Sequence, residues 1–117
     1  MTRFPKVAVV GSREYPKQAV VERFVYLMPK HWTLVSGGAR GVDKWAETTA
    51  KHWNRPTKIY NAQWNKYGPK AGFIRNNDIV RGCDIVVAFW DGKSKGTRHT
   101  IQLADYLGKP YIIVRVR

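Results

Sequence analysis

Three segments of the chain combine glycine with arginine in a way that is suited to binding phosphate. The segments are GSR at residues 11–13, GGARG at residues 37–41 and KGTR at residues 95–98. Glycine allows backbone N–H groups to approach an anion, and the guanidinium group of arginine donates paired hydrogen bonds to phosphate oxygens. If the fold brings these segments to one place, they form a phosphate-binding site.

Each segment also has an explanation that requires no ligand. Many α/β proteins make a Gly-Ser turn after the first strand, Asp43 could cap the helix that follows the second segment, and the third could be a solvated basic loop. The second segment, with three glycines and Arg40 in five residues, contains more glycine than a helix cap requires. It therefore favours contact with a ligand.

Alternating strands and helices must position these segments. Short apolar runs predict strands at residues 6–10, 32–36, 57–62, 83–90 and 110–116. Apolar residues at helical spacing predict helices at residues 16–28, 42–55, 73–81 and 97–107. This alternation is typical of βαβ units. We therefore expect an α/β fold, a small open Rossmann-like three-layer sandwich of about five mainly parallel strands with helices on both faces, as a single domain over residues 1–117.

The carboxyl ends of parallel strands meet at one edge of the sheet, where open α/β folds bind their ligands. Four connections should lie at this edge, and they contain eight of the ten glycines. They also contain, or lie just before, a set of basic residues: Arg13, Arg40, Lys66, Lys70, Arg75, Lys93, Lys95 and Arg98. Glycine and positive charge are therefore expected at the same edge, as a phosphate site requires.

The connection at residues 61–72 is long and carries aromatic residues. Trp64 or Tyr67 could stack on a nucleobase, or could instead cover the edge of the sheet, and the sequence leaves both open. Trp45 and Trp53 lie on the apolar stripe of their helix and are predicted to be core residues.

The sequence offers little for classical catalysis. His31, His52 and His99 lack the spacing of metal ligands, and Cys83 precedes an apolar strand, as a core cysteine would. The carboxylates expected near the loops are those of Asp43, Asp78 and Asp91. We therefore expect no cofactor and no metal, and an enzyme is the less favoured class.

The composition favours a partner with negative charge. With 21 Lys+Arg against 8 Asp+Glu, the formal net charge is +13, which implies attraction to nucleic acid, nucleotides or other polyanions, although solubility alone is an alternative explanation. No apolar run is long enough to span a membrane, and no signal-peptide pattern is evident. Cys83 is the single cysteine, which favours a reducing, cytoplasmic location.

The motifs together resemble a known superfamily. The matching segments are GSR at 11–13, SGGARGVDKWAE at 36–47, the pattern W..YG..AGF.RN at 64–76, and GTR at 96–98 followed by LADYLGKP. They resemble the SLOG superfamily of Rossmann-like proteins, which joins the Lonely Guy phosphoribohydrolases to DNA-processing protein A of bacterial transformation. Within it the chain is most similar to the YspA-like branch, which is often found in bacteria and phages.

The resemblance assigns roles residue by residue. It implies three phosphate-contacting turns, formed by Gly11, Ser12 and Arg13, by Gly37, Gly38, Arg40 and Gly41, and by Gly96 and Thr97. It also implies that Arg75 helps to hold a nucleotide. The phosphoribohydrolases carry a catalytic Glu that assists cleavage of the N-glycosidic bond, but Thr100 occupies that position here, so their activity is not expected.

Three functions remain open at this point. The leading prediction is a protein that binds a nucleotide or nucleotide-derived ligand as a sensor, sequestering or accessory factor. The alternative is a single-stranded nucleic-acid binder, and a nucleotide N-glycosidase is the least supported. A homo-oligomer is compatible with each. The predicted ligand-binding set comprises the residues of the three turns and Arg75, together with Asp43, Trp64, Tyr67, Lys95 and Arg98.

Overall fold

The computed structural model describes residues 5–116, and within them five strands alternate with helices. The strands are β1 (Lys6–Gly11), β2 (Thr33–Ser36), β3 (Thr57–Ile59), β4 (Ile85–Trp90) and β5 (Tyr111–Arg115). The helices are α1 (Gln18–Leu27), α2 (Val42–His52), α3 (Trp64–Tyr67), α4 (Ala71–Arg81) and α5 (Lys95–Tyr106), and a 3-10 turn (Gly68–Lys70) separates α3 from α4.

All five strands are parallel and form one sheet in the order β3-β2-β1-β4-β5. Val7 of β1 lies opposite Leu34 of β2 on one side and Ile85 of β4 on the other. The chain winds outward from β1 in one direction and from β4 in the other, so the order reverses between these two strands. The predicted α/β class and open Rossmann-like sandwich are confirmed.

Alternation along β1 divides the core into two layers. Val7 and Val9 pack with α1 and α2 on one face of the sheet. Ala8 and Val10 pack with α4 and α5 on the other face. Because both faces of β1 are covered, Val7, Ala8, Val9 and Val10 form an unbroken apolar run, as expected for a central strand of a parallel sheet.

Two local expectations were wrong. Residues 64–70, predicted as part of a loop, form α3 and the 3-10 turn. Trp53, predicted as core, is 48% exposed, because α2 ends at His52 and the following backbone turns away at Asn54, whose φ is 55°. The apolar pattern that predicted α2 therefore included Trp53, which lies beyond the end of the helix. Trp45 is half-buried against the core.

None of the helices described within residues 5–116 has the length and apolar character needed to cross a membrane.

Candidate functional site

A cavity of about 840 Å³ opens at the carboxyl edge of the sheet, where the strand order reverses between β1 and β4. The connections after β1, β2 and β4, the middle of α4 and the first turn of α5 surround it. Its polar lining includes Arg13, Asp43, Arg75, Asn76, Asp91, Lys93, Ser94, Thr97 and Thr100. This is the position at which open α/β folds bind ligands.

The turn after β1 is fixed tightly to β4. The backbone N–H of Ser12 donates to the carbonyl oxygen of Phe89 at 3.1 Å, and the Ser12 hydroxyl accepts from the backbone N–H of Asp91 at 3.1 Å. A Cβ at Gly11 would collide with the Phe89 carbonyl and with Val42. Gly11 and Ser12 thus hold the two central strand ends together, which leaves the neighbouring Arg13 side chain exposed on the cavity lining.

Asp43 joins the turn after β1 to the turn after β2. Its Oδ1 accepts from the backbone N–H of Gly11 at 3.2 Å, and the backbone N–H groups of Gly37 and Ala39 also bond to the carboxylate. The side chain does not cap α2, whose N-cap residue is Gly41 without a side-chain bond. The predicted capping role is therefore wrong. The buried carboxylate instead organises two of the predicted phosphate-contacting turns.

Arg75 occupies the space above the second turn. Its Nη1 donates to the carbonyl oxygen of Gly37 at 2.6 Å, and its Nε donates to Oδ1 of Asn76 at 3.0 Å. A Cβ at Gly37 would lie 2.7 Å from Nη1 of Arg75 and 2.8 Å from Oδ2 of Asp43. A side chain at position 37 would therefore have to displace one or both of these charged groups.

Asn76 connects this cluster to α5. Its Nδ2 donates to the carbonyl oxygen of Gly96 at 3.3 Å and lies 3.2 Å from Nδ1 of His99. Burial lowers the pKa of His99. Because Asn76 is itself buried, these contacts hold the middle of α4 and the beginning of α5 in a fixed relation at the cavity.

Burial dominates the electrostatics of the cavity floor. It raises the pKa of Asp43 to about 6, against the opposing effects of Arg75 and the three backbone N–H groups. Burial also lowers the pKa of Arg75, an effect that Asp43 opposes and Arg13 reinforces. Asp43 and Arg75 therefore oppose each other on the cavity floor. The rest of the lining carries the cations Arg13 and Lys93, together with Glu14, which is paired with Arg40, and Asp91, which accepts two backbone N–H groups.

The first turn of α5 adds backbone donors to this wall. Ser94 is the N-cap, and its hydroxyl accepts from the backbone N–H of Thr97 at 3.4 Å. Asp91 accepts from the N–H groups of Lys93 at 2.8 Å and Ser94 at 2.9 Å, and these bonds lower its pKa. The positive end of a 12-residue helix therefore faces the cavity beside one carboxylate.

The predicted site residues fall into two groups. Those that line the cavity are Gly11, Arg13, Asp43, Arg75, Gly96 and Thr97. Those outside the lining are Ser12, Gly37, Gly38, Arg40, Gly41, Trp64, Tyr67, Lys95 and Arg98. Within the second group, Ser12 and Gly37 directly support the lining through the contacts described above.

Arg40 and the aromatic residues of α3 lie outside the cavity. Arg40 is paired with Glu14 at 3.1 Å, with both side chains more than 70% exposed. Trp64 is 53% exposed and Tyr67 is 38% exposed. Asp78, expected near the loops, is exposed on α4 away from the lining.

Sequence reasoning did not single out Asn76 or Ser94 as site residues, and it named Lys93 only among the basic residues of this edge, although all three line the cavity. The Asp-Gly-Lys-Ser sequence before α5 is a recognisable N-cap signal that could have identified Ser94. Thr100, at the position of the hydrolase Glu, also lines the cavity, but its hydroxyl donates to the carbonyl oxygen of Gly96 at 3.2 Å. Residues 5–116 contain no cluster of three potential metal ligands.

Comparison with known proteins identifies relatives that share this architecture. The model of the family described as DNA recombination-mediator protein A matches residues 1–71. The Gene 61 protein of Mycobacterium phage D29 is 34% identical, over 92% of this chain and 94% of its own. DNA processing protein DprA of Streptococcus pneumoniae is 32% identical over 68% of this chain, which corresponds to 31% of that protein.

Solved structures extend the same similarity. The X-ray structure of the Streptococcus pneumoniae DprA matches with a TM-score of 0.80 and 24% identity, over 94% of this chain and 50% of its own. DNA processing protein A from Helicobacter pylori, described for its single-stranded DNA binding mode, matches with a TM-score of 0.68 and 21% identity, over 93% of this chain and 64% of its own. The chain thus spans between about a third and two thirds of these bacterial proteins.

Proposed function

The chain belongs to the DNA recombination-mediator protein A family, and from that premise we propose that it binds single-stranded DNA at the cavity between β1 and β4. The alternative drawn from the sequence is thereby preferred to the leading one, a small nucleotide ligand. The single-stranded DNA binding of the Helicobacter pylori relative supports this choice.

The observation that carries the proposal is the arrangement of cations around the cavity. Arg13 and Lys93 are exposed on its lining, and the N-terminal turn of α5 lines the same cavity. Arg75, by contrast, already donates to Gly37 and Asn76. We therefore assign phosphate contact to Arg13, Lys93 and the N–H groups of α5, and a positioning role to Arg75.

A single strand fits this site better than a duplex. The cavity is a recess, and a single strand can place individual phosphates and bases in a recess because its backbone is flexible. A duplex offers only its rigid outer surface. Nonspecific attraction from the charge of +13 would act on both forms.

Fluorescence anisotropy with labelled oligo-dT and with a duplex of the same length tests the proposal. We expect the single strand to bind more tightly than the duplex at physiological salt. The logarithm of its binding constant should fall with the logarithm of salt concentration by about 0.7 for each phosphate contacted. Equal binding of both forms, or no binding of the single strand, would contradict the proposal.

A mononucleotide remains the second candidate because of the size of the cavity. Its volume of about 840 Å³ lies within the range typical of small-molecule sites. Competition between a mononucleotide and labelled oligo-dT distinguishes nucleotide binding from single-stranded DNA binding. If the site is built for a nucleotide, a mononucleotide will displace oligo-dT at concentrations close to its own dissociation constant, and that constant will change little with salt.

A further inference from the structure

A second basic cluster lies beside the cavity, at the ends of β4 and β5. It surrounds the half-buried side chain of Trp90, whose Nε1 donates to the carbonyl oxygen of Ser94 at 3.1 Å. We call this cluster the Trp90 patch; its members are Trp90, Lys93, Lys95, Arg98 and Arg115. All four cations are exposed.

Two arginines are held over the indole ring. The guanidinium carbon of Arg115 lies 5.2 Å from the ring centroid of Trp90, and that of Arg98 lies 5.9 Å from it. Arg115 is also the register partner of Trp90 across β4 and β5. Cation–π contacts of this kind restrain an arginine without using its N–H groups.

The N–H groups of these arginines are free within the described part of the chain. Arg55 donates to two backbone carbonyls, Arg75 donates to Gly37 and Asn76, and Arg40 is paired with Glu14. No hydrogen bond or ion pair among residues 5–116 engages the guanidinium groups of Arg98 and Arg115. Both are therefore ordered by Trp90 and available to an anion.

The charge of the Trp90 patch is poorly compensated. Arg98 and Arg115 lie over one ring, Lys93 and Lys95 flank Ser94, and the neighbouring carboxylate of Asp91 already accepts two backbone N–H groups. The two guanidinium groups over one ring repel each other, and an anionic ligand would relieve that repulsion. The backbone also makes room for the arrangement, since a Cβ at Gly92 would collide with the guanidinium group of Arg115.

The Trp90 patch is continuous with the cavity. Lys93 belongs to both, and Val116, the residue after Arg115, also lines the cavity. Single-stranded DNA held in the cavity can therefore continue over the ends of β4 and β5. Resting on the proposed single-stranded DNA binding, we propose that Arg98 and Arg115, held by Trp90, form a second phosphate-binding element for the backbone of the strand where it leaves the cavity.

The test uses the double variant Arg98→Gln/Arg115→Gln. Its matched control is Arg23→Gln/Arg81→Gln, which removes the same charge from α1 and from the far end of α4. Anisotropy is measured with oligo-dT of about 3 and about 20 nucleotides, the shorter chosen to occupy the cavity alone. Thermal unfolding of each variant confirms that it is folded.

We expect the patch variant to bind the long oligomer roughly tenfold more weakly than wild type, and the short oligomer nearly as well. Its salt slope for the long oligomer should decrease by about 1.4, corresponding to two phosphate contacts, and the control should change far less. Equal losses in both double variants would overturn the second element while leaving the cavity site intact. Failure of the wild type to bind either oligomer would overturn the proposed function itself.

Trp90 provides an independent check. In Trp90→Leu the arginines retain their charge but lose the ring that orients them. We expect this variant to weaken binding of the long oligomer and to leave the short one unaffected. Binding of the long oligomer equal to wild type would show that the ring has no part in holding these arginines for DNA.

Discussion

Asp43, which the sequence placed in the ligand-binding set, is the residue on which the proposed site most depends, and the proposal assigns it support of the turns rather than contact with phosphate. Its carboxylate receives backbone N–H groups from the turns after β1 and β2 and lies beside Arg75. These turns would otherwise leave N–H groups without partners in a buried place. A charged acceptor at this point therefore sets the shape of the cavity floor.

The raised pKa of Asp43 predicts an unusual dependence of stability on pH. Its pKa rises from 3.8 in the unfolded chain to about 6 in the folded protein, so the folded state takes up the proton first as the pH falls. Protonation of Asp43 therefore stabilises the fold between these values. The gain at pH 4 relative to pH 7 is about 3 kcal/mol at most, at roughly 1.4 kcal/mol per pH unit.

Denaturant unfolding of wild type and Asp43→Asn across pH 4 to 7 measures this effect. The lowered pKa of His99 acts in the opposite direction near pH 6, but it acts in both proteins and cancels in their difference. We expect the stability of wild type relative to the variant to increase as the pH falls. A difference that is constant with pH would show that Asp43 does not titrate in this range.

The sequence predicted the composition of the site better than its internal contacts. Glycine at 11, 37 and 41 was interpreted as space for a ligand, yet the backbone and side chains of the protein itself occupy that space at each position. Gly41, for example, has a φ of 84° and lies against the backbone of Arg13. Glycine in a sequence pattern indicates that other atoms lie close to the backbone, but it does not show whether they belong to a ligand or to the protein itself.

At the scale of elements, α5 is the one whose position matters most for binding. Its N-terminal turn lines the cavity, and the space around Gly96 is open, because a Cβ at this position would meet no atom within 4 Å. Gly37 is the contrasting case because Arg75 and Asp43 fill the corresponding space. Substitution of Gly96 therefore tests ligand binding at the cavity, whereas substitution of Gly37 tests the packing of its floor.

Gly96→Ala should preserve the fold and impair binding. Alanine favours a helix over glycine by as much as ~1 kcal/mol, so the free energy of unfolding should be unchanged or slightly higher. A new methyl group on the cavity wall should nevertheless weaken oligo-dT binding, by several-fold, if a phosphate approaches the N-terminus of α5. Anisotropy and denaturant unfolding of the same sample measure both quantities. Wild-type affinity in this variant would place the phosphates elsewhere.

Gly37→Ala should instead destabilise the protein. The added Cβ would displace Arg75 or Asp43, and overpacking of this kind costs about 1–3 kcal/mol. Denaturant unfolding tests this directly, with Gly96→Ala as the matched substitution. Equal stability of the two variants would mean that the cavity floor adapts without cost.

Most of the elements were predictable because each is identified by its own apolar pattern. The buried run Val86–Phe89 identified β4, and Val21 with Val25 identified the buried side of α1. The helical turns at 64–70 were missed because they bury no side chain, so no apolar periodicity marks them. Their aromatic residues consequently stay exposed, and base stacking on Trp64 or Tyr67 stays a prediction.

At the scale of the whole molecule, the distribution of charge carries more information than its total. The charge of +13 predicts attraction to any polyanion. What distinguishes this protein is that cations without a described hydrogen bond or ion pair gather at the carboxyl edge of the sheet, with Arg13 and Lys93 on the cavity lining and Arg98 and Arg115 beside it. The sequence predicted the carboxyl edge for Arg13, Lys93 and Arg98, but the place along that edge followed from the strand order, which local sequence patterns do not specify.

The most direct measurement compares Arg13→Gln with Arg23→Gln for binding of oligo-dT. Both substitutions remove one exposed arginine charge, but Arg13 lines the cavity and Arg23 lies on α1 outside it. If the cavity is the binding site, Arg13→Gln loses about tenfold or more in affinity, as expected for a charge-assisted hydrogen bond, and Arg23→Gln changes it little. Equal losses in the two variants would show that the strand is bound by net charge alone and would contradict the cavity as its site.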